Sequence, residues 1–340
     1  MPQGRIPPWV KKFVPILVSA LILYYYFHDQ DWEKLMDAAG RANLLVAVLA
    51  IAIPQLVFWL FEVLIADRHV TWFHGPFDWK KYFWVRGAIY IILLINPTIG
   101  GGGIFLYIQR KTEMSWTKLL GIMLFRFGMT LWGIGILMIP ATLAMYYYGL
   151  AEKAKINMYI WWGILLIPGV WFFIGTWLFW FYNIDYSGIG KIIVRDRNSE
   201  FWTAFRVATR KQWFLTWAMG IPPFLFMLVG FYFVSRAFGV NVPFLEFMVV
   251  SPLAMAVMDM PIAFGGFGAA TLAWLVFFGD YGIKENIAAL TLFLPFMRVL
   301  IRALIGLVSL RPAISDISTL TLTSKKDSVQ SATAPEPENV

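Results

Sequence analysis

Eight charged side chains fall inside the apolar segments of this 340-residue chain: Glu62, Arg86, Arg126, Arg236, Glu246, Asp259, Arg298 and Arg302. An ionised group in such a segment is costly, so it marks a functional position unless a nearby surface or partner accounts for it. Arg236 and Glu246 lie near segment ends, where long side chains reach the polar boundary. Glu62 and Arg86 lie within about one helical turn of the inner surface and can pair there. Arg126, Asp259 and Arg298 are deeper. Arg298 and Arg302 are four apart and share one helix face, so they repel unless an anion or a carboxylate lies between them. Asp259 is the protein's own candidate for that role, and a lipid phosphate is the external one. Arginine suits phosphate because its planar fork binds two oxygens at once. A structural ion pair and a transport role compete for these residues.

Two glycine-rich breaks interrupt the apolar segments that carry the charges. Ile95 to Lys111 reads INPTIGGGGIFLYIQRK, and a second stretch reads Pro261-Ile-Ala-Phe-Gly265-Gly266-Phe-Gly268. Both fit P-x-x-x-G-G, with the glycine pairs at Gly101, Gly102 and at Gly265, Gly266. Glycine costs a helix about 1 kcal/mol and proline about 3, so the pattern predicts turns, the first near Asn96 to Gly103. Exposed backbone N–H groups inside a membrane are tolerated only beside protein or a hydrated cavity. Helix amino ends attract phosphate-like anions. Opposed broken helices in matching halves characterise transporters built from inverted repeats. On this reading the glycines and Arg126, Asp259, Arg298 and Arg302 form a substrate site.

The elements that must position these residues are membrane spans. Hydrophobic residues make up 59% of the chain and charged residues 14%, against about 25% charged in a soluble domain. Runs such as Asn43 to Ala66 and Met158 to Tyr182 have the roughly 20 residues that cross hydrocarbon. Six full spans are expected, at Phe13 to Phe27, Asn43 to Ala66, Leu119 to Tyr146, Met158 to Tyr182, Trp213 to Phe238 and Ile287 to Leu310. The fold class is therefore an all-α polytopic membrane protein with about six full spans. Tyr82 to Leu106 and Phe244 to Phe278 are expected as two re-entrant hairpins entering from opposite faces. Loop counts of Lys and Arg give 18 on the inner side and 5 outside, which places both termini in the cytoplasm by the positive-inside rule. Residues 1–312 form the transmembrane domain, in halves of about 10–157 and 158–312, followed by a disordered cytoplasmic tail over 313–340. Asp185 to Trp213 reads equally as a helix along the inner surface and as an ordinary basic loop.

Several functions are disfavoured by what the sequence lacks. There are no cysteines, which excludes disulfides and thiolate chemistry. His28, His69 and His74 fall in polar connections without metal-ligand spacing, so no metal and no cofactor is expected. The net charge of +8 sits in short loops and serves topology, not nucleic acid. No Walker motif is present, so transport would be passive or gradient-driven.

The two breaks, each followed by an arginine-bearing helix (LFRFG around Arg126, PFMRVLIRALIG around Arg298), resemble the flippase-like transmembrane region of lysylphosphatidylglycerol synthases. The resemblance covers about residues 10–312. The same region occurs alone in bacterial and archaeal membrane proteins, which implies a prokaryotic plasma membrane. It implies movement of an anionic, aminoacylated or polyprenyl-linked lipid between leaflets, with a phospholipid or polyprenyl lipid as partner and a homo-oligomer possible. Three departures accompany it. No soluble aminoacyl-transferase domain follows residue 312, so no enzyme activity is expected. Ala269, Ala270 and Thr271 replace an acidic residue after the second glycine pair, and Ile104 to Tyr107 replace a polar pair after the first. A lipid-binding scaffold or accessory subunit is the alternative function. A membrane-surface lipid-modifying enzyme is less favoured, because Asp29, Asp31 and Glu33 read as loop-capping acids.

Overall fold

The computed structural model describes residues 31–147, 177–182, 196–258 and 267–332, with single positions at 17, 24, 28 and 149. Every regular element among them is helical. The helices are α1 (Trp32–Arg41), α2 (Leu44–Phe73), α3 (Trp79–Ile95), α4 (Pro97–Thr112), α5 (Trp116–Tyr147), the short α6 (Thr203–Val207), α7 (Arg210–Ala237), α8 (Phe244–Met258), α9 (Phe267–Phe278) and α10 (Lys284–Ala332). Among the described residues, α2, α7 and the Lys284–Ser318 part of α10 are long and apolar enough to cross a membrane.

The chain divides into two compact units. One is built from Trp59–Phe127, Arg195–Gln212 and Ile301–Val340, the other from Met1–Phe58, Gly128–Val194 and Trp213–Leu300. Each is assembled from three separate stretches of the sequence.

In the first unit α3 and α4 form a helical hairpin. Asp78 starts α3 by accepting from the Lys81 N–H at 3.3 Å. The break comes at Asn96, which is extended at φ −149° and ψ 104°. A residue before proline is pushed out of the α region, and Pro97 then suits the first position of the next helix. The Asn96 side chain accepts from the Ile99 N–H at 3.1 Å and caps α4. At the open end Tyr82 and Tyr107 stack with ring centroids 6.0 Å apart.

The glycines therefore do not make the turn. Gly100 to Gly103 are helical within α4, and none has a positive φ. Only Gly100 is tightly packed, since a Cβ there would lie 2.7 Å from the Leu93 side chain and 2.9 Å from its backbone N. Gly101 and Gly102, expected as turn residues, have open space where a Cβ would project. An Asn-Pro pair suffices to reverse the chain, because it ends one helix and caps the next.

In the second unit α8 and α9 also pack antiparallel. Phe247 near the start of α8 stacks on Phe278 at the end of α9, with centroids 5.0 Å apart, and contacts Trp274 at 6.0 Å. Asp259, Pro261, Gly265 and Gly266, the second break, lie outside the described residues. So do most of the expected spans Phe13 to Phe27 and Met158 to Tyr182.

Two further expectations change. α10 continues to Ala332, where a disordered tail was expected from residue 313. Extending an existing helix is far cheaper than nucleating one, and Ala313 is buried and Asp316 bonded within the unit. His69 is not in a polar connection: α2 runs on to Phe73, and the fully buried ring donates from Nδ1 to the Ile65 carbonyl at 2.6 Å, beside Trp72, Phe73 and Phe125.

Candidate functional site

Four helices of the first unit bring charged and aromatic side chains together. Glu62 comes from α2, Arg86 and Tyr90 from α3, Arg126 from α5 and Arg302 from α10. Arg86 and Tyr90 are four apart and so project from one face of α3. The Arg86 Nη2 donates to Glu62 Oε2 at 2.5 Å, and the Tyr90 hydroxyl donates to the same oxygen at 3.1 Å. The Arg86 guanidinium lies 4.3 Å from the Tyr90 ring centroid, and that of Arg302 lies 5.7 Å from it. Tyr90 thus offers its ring to two cations and its hydroxyl to the one acid. Arg126 lies near enough to act electrostatically on both Glu62 and Tyr82.

Burial gives the cluster its energetic weight. Arg86 is only 6% exposed, and among the described residues its Nη1 has no hydrogen-bond partner, nor has the buried Nε of Arg302. Removing one partner of a buried ion pair costs about 3–5 kcal/mol, because the charge left behind stays desolvated. A guanidinium N–H without a partner in a protein interior costs about 1–3 kcal/mol or more. Among the described residues the cluster brings together three guanidinium groups and one carboxylate, with donor capacity unused on Arg86 and Arg302. Chemically the cluster can hold an oxyanion.

Among the described residues no group of three or more His, Cys, Asp or Glu could hold a metal ion. His69, the nearest imidazole, spends its Nδ1 proton on a backbone carbonyl.

The expected site residues are divided by the structure. Arg126 and Arg302 join the cluster. Arg298, half-buried and with a partner of its own, belongs to the other unit. Gly101 is half-buried and Gly102 exposed on α4, and neither is hemmed in. Asp259, Gly265 and Gly266 are outside the described residues. The sequence reading treated Glu62 and Arg86 as a simple pair near the surface and did not single out Tyr90. The spacing of Arg86 and Tyr90 on one face of the hairpin's first helix was the available signal.

The second unit places its own acid differently. The Tyr281 hydroxyl, in the loop after α9, donates to Glu246 at the start of α8. Burial, then this bond to a carboxylate, push the Tyr281 pKa above its ordinary value. That contact tethers the loop to the hairpin's open end.

No curated protein matches the chain. The family described as lysylphosphatidylglycerol synthase TM region matches residues 12–306, which is most of the sequence. An all-helical chain with membrane-length apolar helices and a buried cationic cluster behind a helical hairpin thus belongs to the lysylphosphatidylglycerol synthase transmembrane-region family.

Proposed function

We propose that this protein moves a lipid with an anionic, aminoacylated or polyprenyl-phosphate headgroup between leaflets, without ATP and without chemical change to the lipid. The observation that carries this reading is the Glu62, Arg86, Tyr90, Arg126 and Arg302 cluster. Its buried, unfilled donors on Arg86 and Arg302 suit a phosphate oxygen, and the apolar helices around them suit acyl chains. Family membership supports a lipid-related role. The α3–α4 hairpin, read as re-entrant, would let the headgroup pass through a polar site while the tails stay in hydrocarbon. Its second glycine helix, open along Gly101 to Gly103, offers a smooth surface for that passage. The loop charges support a reading with both termini in the cytoplasm.

The test is reconstitution in liposomes carrying headgroup-labelled phosphatidylglycerol, with the outer-leaflet label destroyed by an impermeant reductant. The protein should expose inner-leaflet label to the reductant, and Arg302→Gln should slow this about tenfold or more with assembly unchanged. Label movement no faster than in protein-free liposomes, with correctly folded protein, rejects transport and leaves a lipid-binding scaffold.

A further inference from the structure

Helix α10 meets the first hairpin at three levels along its length, all within one unit. At the first, Arg302 faces the Tyr90 ring. At the second, the helices approach closely through small residues: a Cβ on Gly306 would lie 2.5 Å from Ile91, and one on Gly87 would lie 2.2 Å from the Ser309 Oγ. At the third, Asp316 receives the Lys111 Nζ at 3.2 Å and the Tyr107 hydroxyl at 2.7 Å. The first two levels hold α3. The third crosses to α4, on the far side of the Asn96 turn. Lys111 and Tyr107 are four apart and so present one face to Asp316.

The third contact is shielded from water. The Asp316 side chain is 9% exposed and that of Lys111 is 20% exposed, so a partly separated pair would leave charges out of water without a partner. It is also linked to the charged cluster. Tyr107 stacks on Tyr82, and Arg126 lies near enough to act electrostatically on both Tyr82 and Glu62. A change at Asp316 therefore has a short physical route to the side chains around Arg86.

We propose that the part of α10 beyond Arg311 is a strap across the first hairpin, with Asp316 as its catch. The closed catch keeps α4 against α10, and an open catch frees α4 to move relative to α3. The strap bears on lipid movement only through the transport reading above, but the catch can be tested without any lipid moving.

Amide hydrogen exchange on the full chain in nanodiscs tests it. Asp316→Asn should speed exchange over residues 100–112 by about tenfold, with exchange over 244–258 unchanged. Asp316→Lys combined with Lys111→Asp should bring the rate back to within about threefold of the parent by restoring an ion pair. Unchanged exchange over 100–112, or equal acceleration of both hairpins, overturns the catch. If Asp316→Asn does not fold, Tyr107→Phe keeps the ring, drops the hydroxyl and should still speed exchange about threefold; no change there overturns the catch as well. The liposome assay run on the same variants separates the two readings. A loosened hairpin in a chain that never moves lipid keeps the catch and removes transport, whereas lipid movement with no loosening keeps transport and removes the catch.

Discussion

The two hairpins share the P-x-x-x-G-G pattern but have different interiors. Around α3 and α4 the core includes Glu62, Arg86, Tyr90 and Arg302, joined by hydrogen bonds and ring contacts, with Tyr82 stacked on Tyr107. Between α8 and α9 it is Phe247, Trp274 and Phe278, each no more than 1% exposed, with the Glu246–Tyr281 bond at the open end. A repeated backbone signal has thus been filled with two kinds of chemistry. In the first hairpin Asn96 ends one helix and the pattern opens the next; the pattern does not decide what the hairpin holds. Removing charge is therefore expected to act mainly on the first hairpin, and removing volume on the second.

The largest effect is expected at the buried pair. Glu62→Gln should destabilise the protein by about 3–5 kcal/mol, because Arg86 stays buried without its counter-charge. Thermal unfolding in detergent measures this, and Glu62→Gln combined with Arg86→Met should recover much of the loss while lipid movement stays low. Recovery of both would show the pair to be purely structural.

Phe247→Ala should cost about 3 kcal/mol through the cavity it leaves against Trp274 and Phe278. Its effect on headgroup binding, read by the quenching of labelled phosphatidylglycerol, should be small. A binding loss as large as that of Arg302→Gln would break the contrast between the hairpins.

Within α4 the glycines should separate. Gly100→Leu should cost about 1–3 kcal/mol, since the added side chain meets Leu93. Gly102→Ala should instead raise stability by about 0.5–1 kcal/mol, because it gains helix propensity in open space. Thermal shifts of opposite sign check both, and a loss at Gly102→Ala would mean that a backbone approach there has been missed.

The smallest expected effect on the fold is the most direct test of sidedness. Single cysteines placed at Arg110 and Lys118 should resist an impermeant thiol reagent in intact cells, while cysteines at Lys153 and Lys284 should react. Labelling at 110 with protection at 153 would reverse the re-entrant reading of the first hairpin.

Much of this molecule was legible because membrane helices must satisfy their own backbone. Composition fixed the all-helical class, apolar length placed α2, α7 and α10, and the proline-glycine breaks located the hairpins. A lone ionised residue in an apolar run is conspicuous for the same reason, so Arg126 and Arg302 could be picked out. The turn lies at the Asn96 end of the expected Asn96 to Gly103 stretch, where Asn96 and Pro97 do the capping while Gly101 and Gly102, which dominate the string, continue the helix. Local propensity says that a helix is weakened there; only the three-dimensional chain shows which residue it bends at. The helical course of residues 313–332 was missed because a polar string carries no hydrophobic period, and its anchor, Asp316, is bonded to residues more than 200 positions away. The grouping of Glu62, Arg86, Tyr90 and Arg302 was likewise set by packing. Sequence fixes which face of a helix a charge occupies, but which face of another helix it meets depends on how closely small residues such as Gly87 and Gly306 let the helices approach. Burial of such a charge then follows from that approach, and with it the unfilled donors that make the first hairpin different from the second.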